Sequence, residues 1–190
     1  MKLKLTMSLI LGAVIALPSC TPVTNYNNPP PVNGALTSAQ AQTDAKILGA
    51  VAALDQNEIA LATLAQNKAT DMSVRRYADW MYKEHNNNLQ NTLALSKKIG
   101  VMPQNGPAAV KLQKNGKREL VALNHTKGMQ FDQKYIAMMV KGHTEAVNLL
   151  NGLIKIASSP ALVRELESTR HHVIAHLHKA QAIQKEMAHS

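Results

Sequence analysis

The sequence predicts an all-α fold: a four-helix bundle whose second and third long helices are joined by a broken connection carrying a short extra helix. Three observations predict it. Aromatic residues make up only 3% of the 190 residues, and Ala, Leu, Gln, Lys and Met dominate, a composition that favours helix over sheet. Four long stretches space their apolar residues by threes and fours, the period of an amphipathic helix. Turn and cap residues fall between those stretches.

The first element is an address outside the bundle. Lys2 and Lys4 give a positive start, and Leu9 to Leu17 form an apolar run shorter than the roughly 20 residues of a span. The run ends at Leu17-Pro18-Ser19-Cys20, which resembles the lipobox of bacterial lipoproteins, with Pro18 where that pattern has a small residue. The chain's only cysteine falls where acylation needs it; the alternative is an ordinary cleaved signal followed by a chance cysteine. The expected organisation is a lipoprotein signal peptide over 1–19, a lipidated Pro/Asn-rich tether over 20–37 and the bundle domain over 38–190. Multiple acyl chains anchor firmly, and Thr21 after the cysteine points to the outer membrane, facing the periplasm. A single cysteine leaves no internal disulfide and no cysteine-based zinc site. The formal charge is +9, from 21 Lys+Arg against 12 Asp+Glu, and loss of Lys2 and Lys4 leaves 19 against 12, about +7. For an exported basic protein the expected partners are membrane lipid, through acylated Cys20, and anionic envelope lipid or polysaccharide, with no nucleic acid.

The first helix is expected over about Ser38–Ala69, with Ile47, Val51, Leu54, Leu61 and Ala65 on its apolar stripe. The second runs from about Asp71 to Ile99, capped by Asp71 or Ser73 and closed by Gly100, with Val74, Ala78, Met81 and Leu89 inward. Gly100–Gly128 contains Pro103, Gly106, Pro107, Asn115 and Gly116, so a short helix around Arg118–Asn124, lying over one end of the bundle, is all that is expected there. A third long helix, about Met129–Ala157, carries Phe131, Tyr135, Met139, Val147 and Leu150. The fourth starts after Ser158-Ser159 with Pro160 in its first position and carries Leu162, Leu166, Val173, Ala180 and Ile183. The first two and the last two long helices form helical hairpins, though no internal repeat is strong enough to quote.

Each stripe has one polar intruder: Glu58, His85, His143 and His176. Their heights match. Glu58 lies 12 residues before Thr70 and His85 lies 15 after it; His143 lies 16 before Ser159 and His176 lies 17 after it. At about 1.5 Å per residue the mismatches are only a few ångströms, so the four converge near mid-height. A buried carboxylate costs several kcal/mol unless partnered. Three imidazoles and one carboxylate suit a single transition-metal ion, zinc, iron or copper. Asp55, Asp132, Tyr135 and His172 lie a turn or less away and are candidates to orient the ligands. The alternative is a metal-free hydrogen-bond network, with no cofactor, that only fixes helix packing.

Several ordered motifs carry a family resemblance: Asn57-Glu58-Ile59-Ala60-Leu61, Ala78-Asp79-Trp80-Met81 followed by Glu84-His85, Phe131-Asp132-Gln133-Lys134-Tyr135, Lys141-Gly142-His143, and His176-Leu177-His178-Lys179-Ala180-Gln181. Over about Asp44–Met187 the chain resembles the bacterial domain of unknown function (DUF) 4142 family, whose members are often named as outer-membrane proteins. The resemblance implies a ferritin-like helical domain and no established activity. Di-iron carboxylate bundles use two Glu-x-x-His pairs; this chain has none, and Glu84 and His85 point about 100° apart, which argues against a di-iron site. His172 and His176, one turn apart, can face one ion or belong to a histidine-rich surface with His171 and His178. Lys111, Lys114, Lys117 and Arg118 form a basic patch in the connection. Ser158, Ser159 and Ser168 lack nucleophile partners, so an enzyme is the least favoured class. The expected function is a cell-envelope lipoprotein holding one metal for sensing, sequestration or redox protection; the alternative is a non-catalytic structural or interaction module.

Overall fold

The structure is a computed structural model that describes residues 35–189. The expected signal peptide, Cys20 and the tether up to residue 34 lie outside the described residues. Among the described residues there are five helices and no strand: α1 (Ser38–Lys68), α2 (Met72–Ile99), α3 (Pro107–Asn124), α4 (Gly128–Ile156) and α5 (Pro160–Met187).

Local chemistry sets the ends. Thr37 and Gln40 form a capping box at the start of α1, each side chain serving the other's backbone N–H. The Asp71 carboxylate accepts from the N–H groups of Ser73 and Val74, so it is Asp71 rather than Ser73 that caps α2. Gly100 closes α2 in the left-handed region, φ 69°. Ser159 caps α5 and Pro160 fills its first position, where a missing N–H costs nothing.

Two aspartates fix how the helices run. Asp44, near the start of α1, accepts from the N–H groups of Ser158 and Ser159 in the α4–α5 turn, at 2.8 and 2.9 Å. Asp132, near the start of α4, accepts from the N–H groups of Thr70 and Asp71 in the α1–α2 turn, at 3.1 and 2.9 Å. The start of α1 therefore meets the end of α4, and the reverse holds at the other end. So α1 and α4 are antiparallel, and α2 and α4 run the same way. α1 packs on α2, α3 and α4, and α5 packs on α4 and α2.

The connection between α2 and α4 differs from expectation. Its helix begins at Pro107 rather than near Arg118, and it lies lengthwise along α1 rather than over an end. Gln104 N–H donates to the Ala45 carbonyl at one end, and the Lys68 ammonium donates to the Asn124 carbonyl at the other. Gly116 is a site of close approach, not a breaker. A Cβ there would collide with the side chain of Asn57, whose amide donates to the Leu112 carbonyl at 2.7 Å.

The core has two apolar clusters. One holds Leu61, Tyr77, Met81, Phe131, Tyr135, Met139 and Ile183. The other holds Leu48, Val51, Leu54, Leu150, Leu166 and Val173. Along each long helix the residues between them are polar: Asp55 and Glu58 on α1, His85 on α2, His143 on α4 and His176 on α5, none more than 6% exposed. α1 is long and apolar enough to cross a bilayer by length and composition, yet 61% of that window is buried inside the bundle. Neighbours on three sides require an apolar surface on three sides.

Candidate functional site

The polar layer brings three of the four expected residues together. The ligating atoms of His85, His143 and His176 lie within 4.8 Å of one another. Ring centroids are 5.2 Å apart for His85 and His176, 5.5 Å for His143 and His176, and 6.0 Å for His85 and His143. Glu58 is buried in the same layer but stands outside that grouping.

Two of the imidazoles are already held on one side. His85 Nδ1 lies 2.9 Å from Asp55 Oδ1, leaving Nε2 buried without a partner among the described residues. His143 Nδ1 lies 2.9 Å from the Met139 carbonyl. A carbonyl only accepts, so Nδ1 carries the hydrogen and Nε2, also without a described partner, keeps its lone pair. Neither nitrogen of His176 has a described partner; its ring stands edge-on to Trp80 at 4.5 Å. Glu58 Oε2 and the Tyr135 hydroxyl are likewise buried without described partners.

The electrostatics follow from burial. Burial first, then the charge of His85, push His143 down to about 3. Burial and the neighbouring histidines push His176 down to about 2. Both rings are neutral at ordinary pH. His85 goes the other way: burial would lower it, but its bond to Asp55 and the nearby Glu58 carboxylate raise it. Burial lifts the Asp55 carboxyl against its bonds to His85 and Asn88. Burial lifts Glu58 to about 7, opposed by His85 and helped by Glu119 and Asp55.

Of the expected supporting residues, Asp55 lies against His85, and Tyr135 is close enough to Glu58 for that carboxylate to raise its hydroxyl pKa further. Asp132 does not support the site. It points to the α1–α2 turn, where uncapped N–H groups compete for its oxygens. His172 is exposed, one turn from His176, and reaches it only through space. Sequence reasoning missed Asn88 and Thr169. Asn88 donates to Asp55 Oδ2 and accepts from the Thr169 hydroxyl, both at 2.8 Å, which ties α1, α2 and α5. Its place three residues after His85, on one helix face, was the available signal. Trp80 stands out in the sequence only as part of a motif; its cover of His176 depends on packing between helices.

Three buried, convergent imidazoles could hold a metal ion. The family described as a domain of unknown function, DUF4142, matches residues 30–183. The chain belongs to the DUF4142 family. No curated protein matches this DUF4142 chain. Among solved structures, a DUF305 protein from Streptomyces coelicolor superposes with a TM-score of 0.66 at 14% identity, covering 77% of this chain and 94% of that one. A DUF305 fragment from Deinococcus radiodurans gives 0.63 at 16% identity, covering 80% and 99%. At these identities the DUF4142 chain shares a helical fold with the DUF305 proteins.

Proposed function

We propose that this DUF4142 protein is a cell-envelope protein that holds one transition-metal ion in its polar layer, for sensing, sequestration or redox protection. One observation carries the reading: buried histidines from α2, α4 and α5 bring their ligating atoms within 4.8 Å, and the Nδ1 atoms of two are already engaged. The ion is taken by Nε2 of His85 and His143 and a ring nitrogen of His176, with Glu58 completing the set. Bonds of about 2.0–2.1 Å put tetrahedral nitrogens roughly 3.3 Å apart, so modest ring shifts close the site. Asp55 behind His85 and the Met139 carbonyl behind His143 are the outer partners that metal-binding histidines use. Zinc, iron and copper fit this nitrogen-rich donor set; calcium and magnesium, which take oxygen, do not.

Metal analysis of protein expressed in the periplasm tests the reading. About one ion per chain is expected, with a raised melting temperature on adding zinc, iron or copper. His85→Ala and His143→Ala should each abolish uptake. Sub-stoichiometric metal with no thermal shift refutes the site.

A second reading has its own support. The chain of bonds His85–Asp55–Asn88–Thr169 ties three helices with no ion, as a packing device would. On that reading His176→Leu stabilises the fold, and chelators change nothing.

We also read α1, α2, α4 and α5 as a ferritin-like four-helix bundle, with α3 as its crossover; the antiparallel ties through Asp44 and Asp132 support this. The location we propose is lipid-anchored through Cys20, in the outer membrane facing the periplasm. The lipobox-like Leu17–Cys20 supports the anchor, and the Streptomyces coelicolor neighbour is described as a secreted protein. Cys20→Ser should release the protein from membranes; retention there counts against lipidation.

A further inference from the structure

Glu58 lines a cavity of about 150 Å³ between α1, α3 and α4. Glu119 on α3 and Glu145 on α4 line the same cavity. The three carboxylates are graded in exposure: the Glu145 side chain is 60% exposed, Glu119 is half-buried, and Glu58 is 6% exposed. They act on one another, since Glu145 raises the pKa of Glu119 and Glu119 raises that of Glu58. At the deep end Glu58 Oε2 is buried without a described partner and is close enough to His85 to raise its pKa. Gly142, beside His143, also lines the cavity; a Cβ there would meet only Glu58 Oε1, at 3.9 Å, so a methyl fits and only a larger side chain would fill this point.

The other side of the histidines differs. Trp80 stands edge-on over His176. Outside it, the groove between α2 and α5 is lined by Ser73, Arg76, Tyr77, Trp80 and Lys179. Two cations in that lining disfavour the approach of a metal ion. On the α3 side three carboxylates and one cation, Lys111, line the cavity; Lys141, which pairs with Glu145 at 2.7 Å, and Arg118 of the basic patch also act on Glu119.

We infer that the cleft between α1, α3 and α4 is the route by which a divalent transition-metal cation reaches the three histidines, passed inward along Glu145, Glu119 and Glu58. This rests on the metal-site reading above. Carboxylates are suited to such a relay because they attract a hydrated cation from a distance and exchange its waters one at a time, while the histidines, with Glu58 as the last carboxylate met, hold it at the end.

Loading rate, rather than final binding, is the quantity that tests the route. Full-length, metal-stripped protein in detergent is mixed rapidly with cobalt(II), and the visible ligand-field band of the bound ion is followed. Glu119→Gln combined with Glu145→Gln should slow loading about tenfold at low salt, with cobalt stoichiometry unchanged. The difference from wild type should shrink in about 1 M salt, where screening is short-ranged. Gly142→Leu should slow loading at every salt concentration, while Gly142→Ala, with room for its methyl, should load like wild type. Should Gly142→Leu fail to fold, the glutamine pair still decides. Equal rates in the glutamine pair and wild type, with full uptake in both, overturn the route alone. So does faster loading of an Arg76→Ala, Lys179→Ala variant, which would put the route on the α2–α5 side. Lost stoichiometry in the glutamine pair makes those residues ligands and also overturns it. A wild-type protein that takes up no cobalt overturns both the route and the metal site.

Discussion

Asp55 reaches across from α1 to hold His85, and a carboxylate in that position sets both the tautomer and the aim of a ligating imidazole. Asp55→Asn should therefore leave one ion per chain but weaken affinity by about 10–100-fold, read by competition with a chromophoric chelator. His143 and His176 make a separate prediction about pH. Folded, they resist protonation down to about 3 and 2; unfolded, they take up protons near 6.5. Their contribution to stability is present above about pH 6.5 and is lost as pH falls toward those values, at up to about 1.4 kcal/mol per unit for each. Glu58, lifted to about 7, works against this between about 7 and 4.5, because the fold then holds a proton the unfolded chain has released. The metal-free melting temperature should accordingly fall most steeply below about pH 4.5, and His143→Leu should show a shallower fall. The four intruders were legible because each interrupts an apolar stripe. Asp132 shows the limit. Height along a helix can be read from spacing, but the direction a side chain takes depends on which N–H groups lie beyond its own helix.

α3 makes the same point for an element. Pro107 and Gly116 have the look of breaks, yet the proline begins the helix and the glycine lies within it, against Asn57. A glycine kept for close approach and a glycine kept for a turn are the same letter; only the partner, 59 positions earlier, tells them apart. Gly116→Ala should lower stability by about 1–3 kcal/mol in urea unfolding, outweighing the gain in helix propensity. Adding Asn57→Ala should recover part of that loss. Asp132→Ala should also cost about 1–3 kcal/mol, because it strips the acceptor from the Thr70 and Asp71 N–H groups. It should leave metal stoichiometry unchanged, which separates the turn it serves from the histidine layer.

For the whole molecule, each hairpin carries the aspartate that completes the other hairpin's turn, so neither is finished alone. Unfolding followed by Trp80 fluorescence and by far-ultraviolet circular dichroism should coincide in one transition. The number of long helices and their pairing were plain in the sequence from period and caps. Their directions were not, since a connection such as Gly100–Gly128 can return the chain to either end, and only the aspartate contacts decide. Those contacts also share one spacing. Asp44 and Asp132 stand 88 positions apart (132 minus 44), and so do the caps Asp71 and Ser159, and Ala69 and Ala157. A constant interval across cap, turn and aspartate contact means that the two hairpins are built to one register, with the same local chemistry closing each turn. The same interval joins Asp55 to His143 and Asn88 to His176. His85 has Val173 at that interval, so the two hairpins match where their turns are tied and differ at the polar layer, and the molecule is symmetric at its ends but not at its centre.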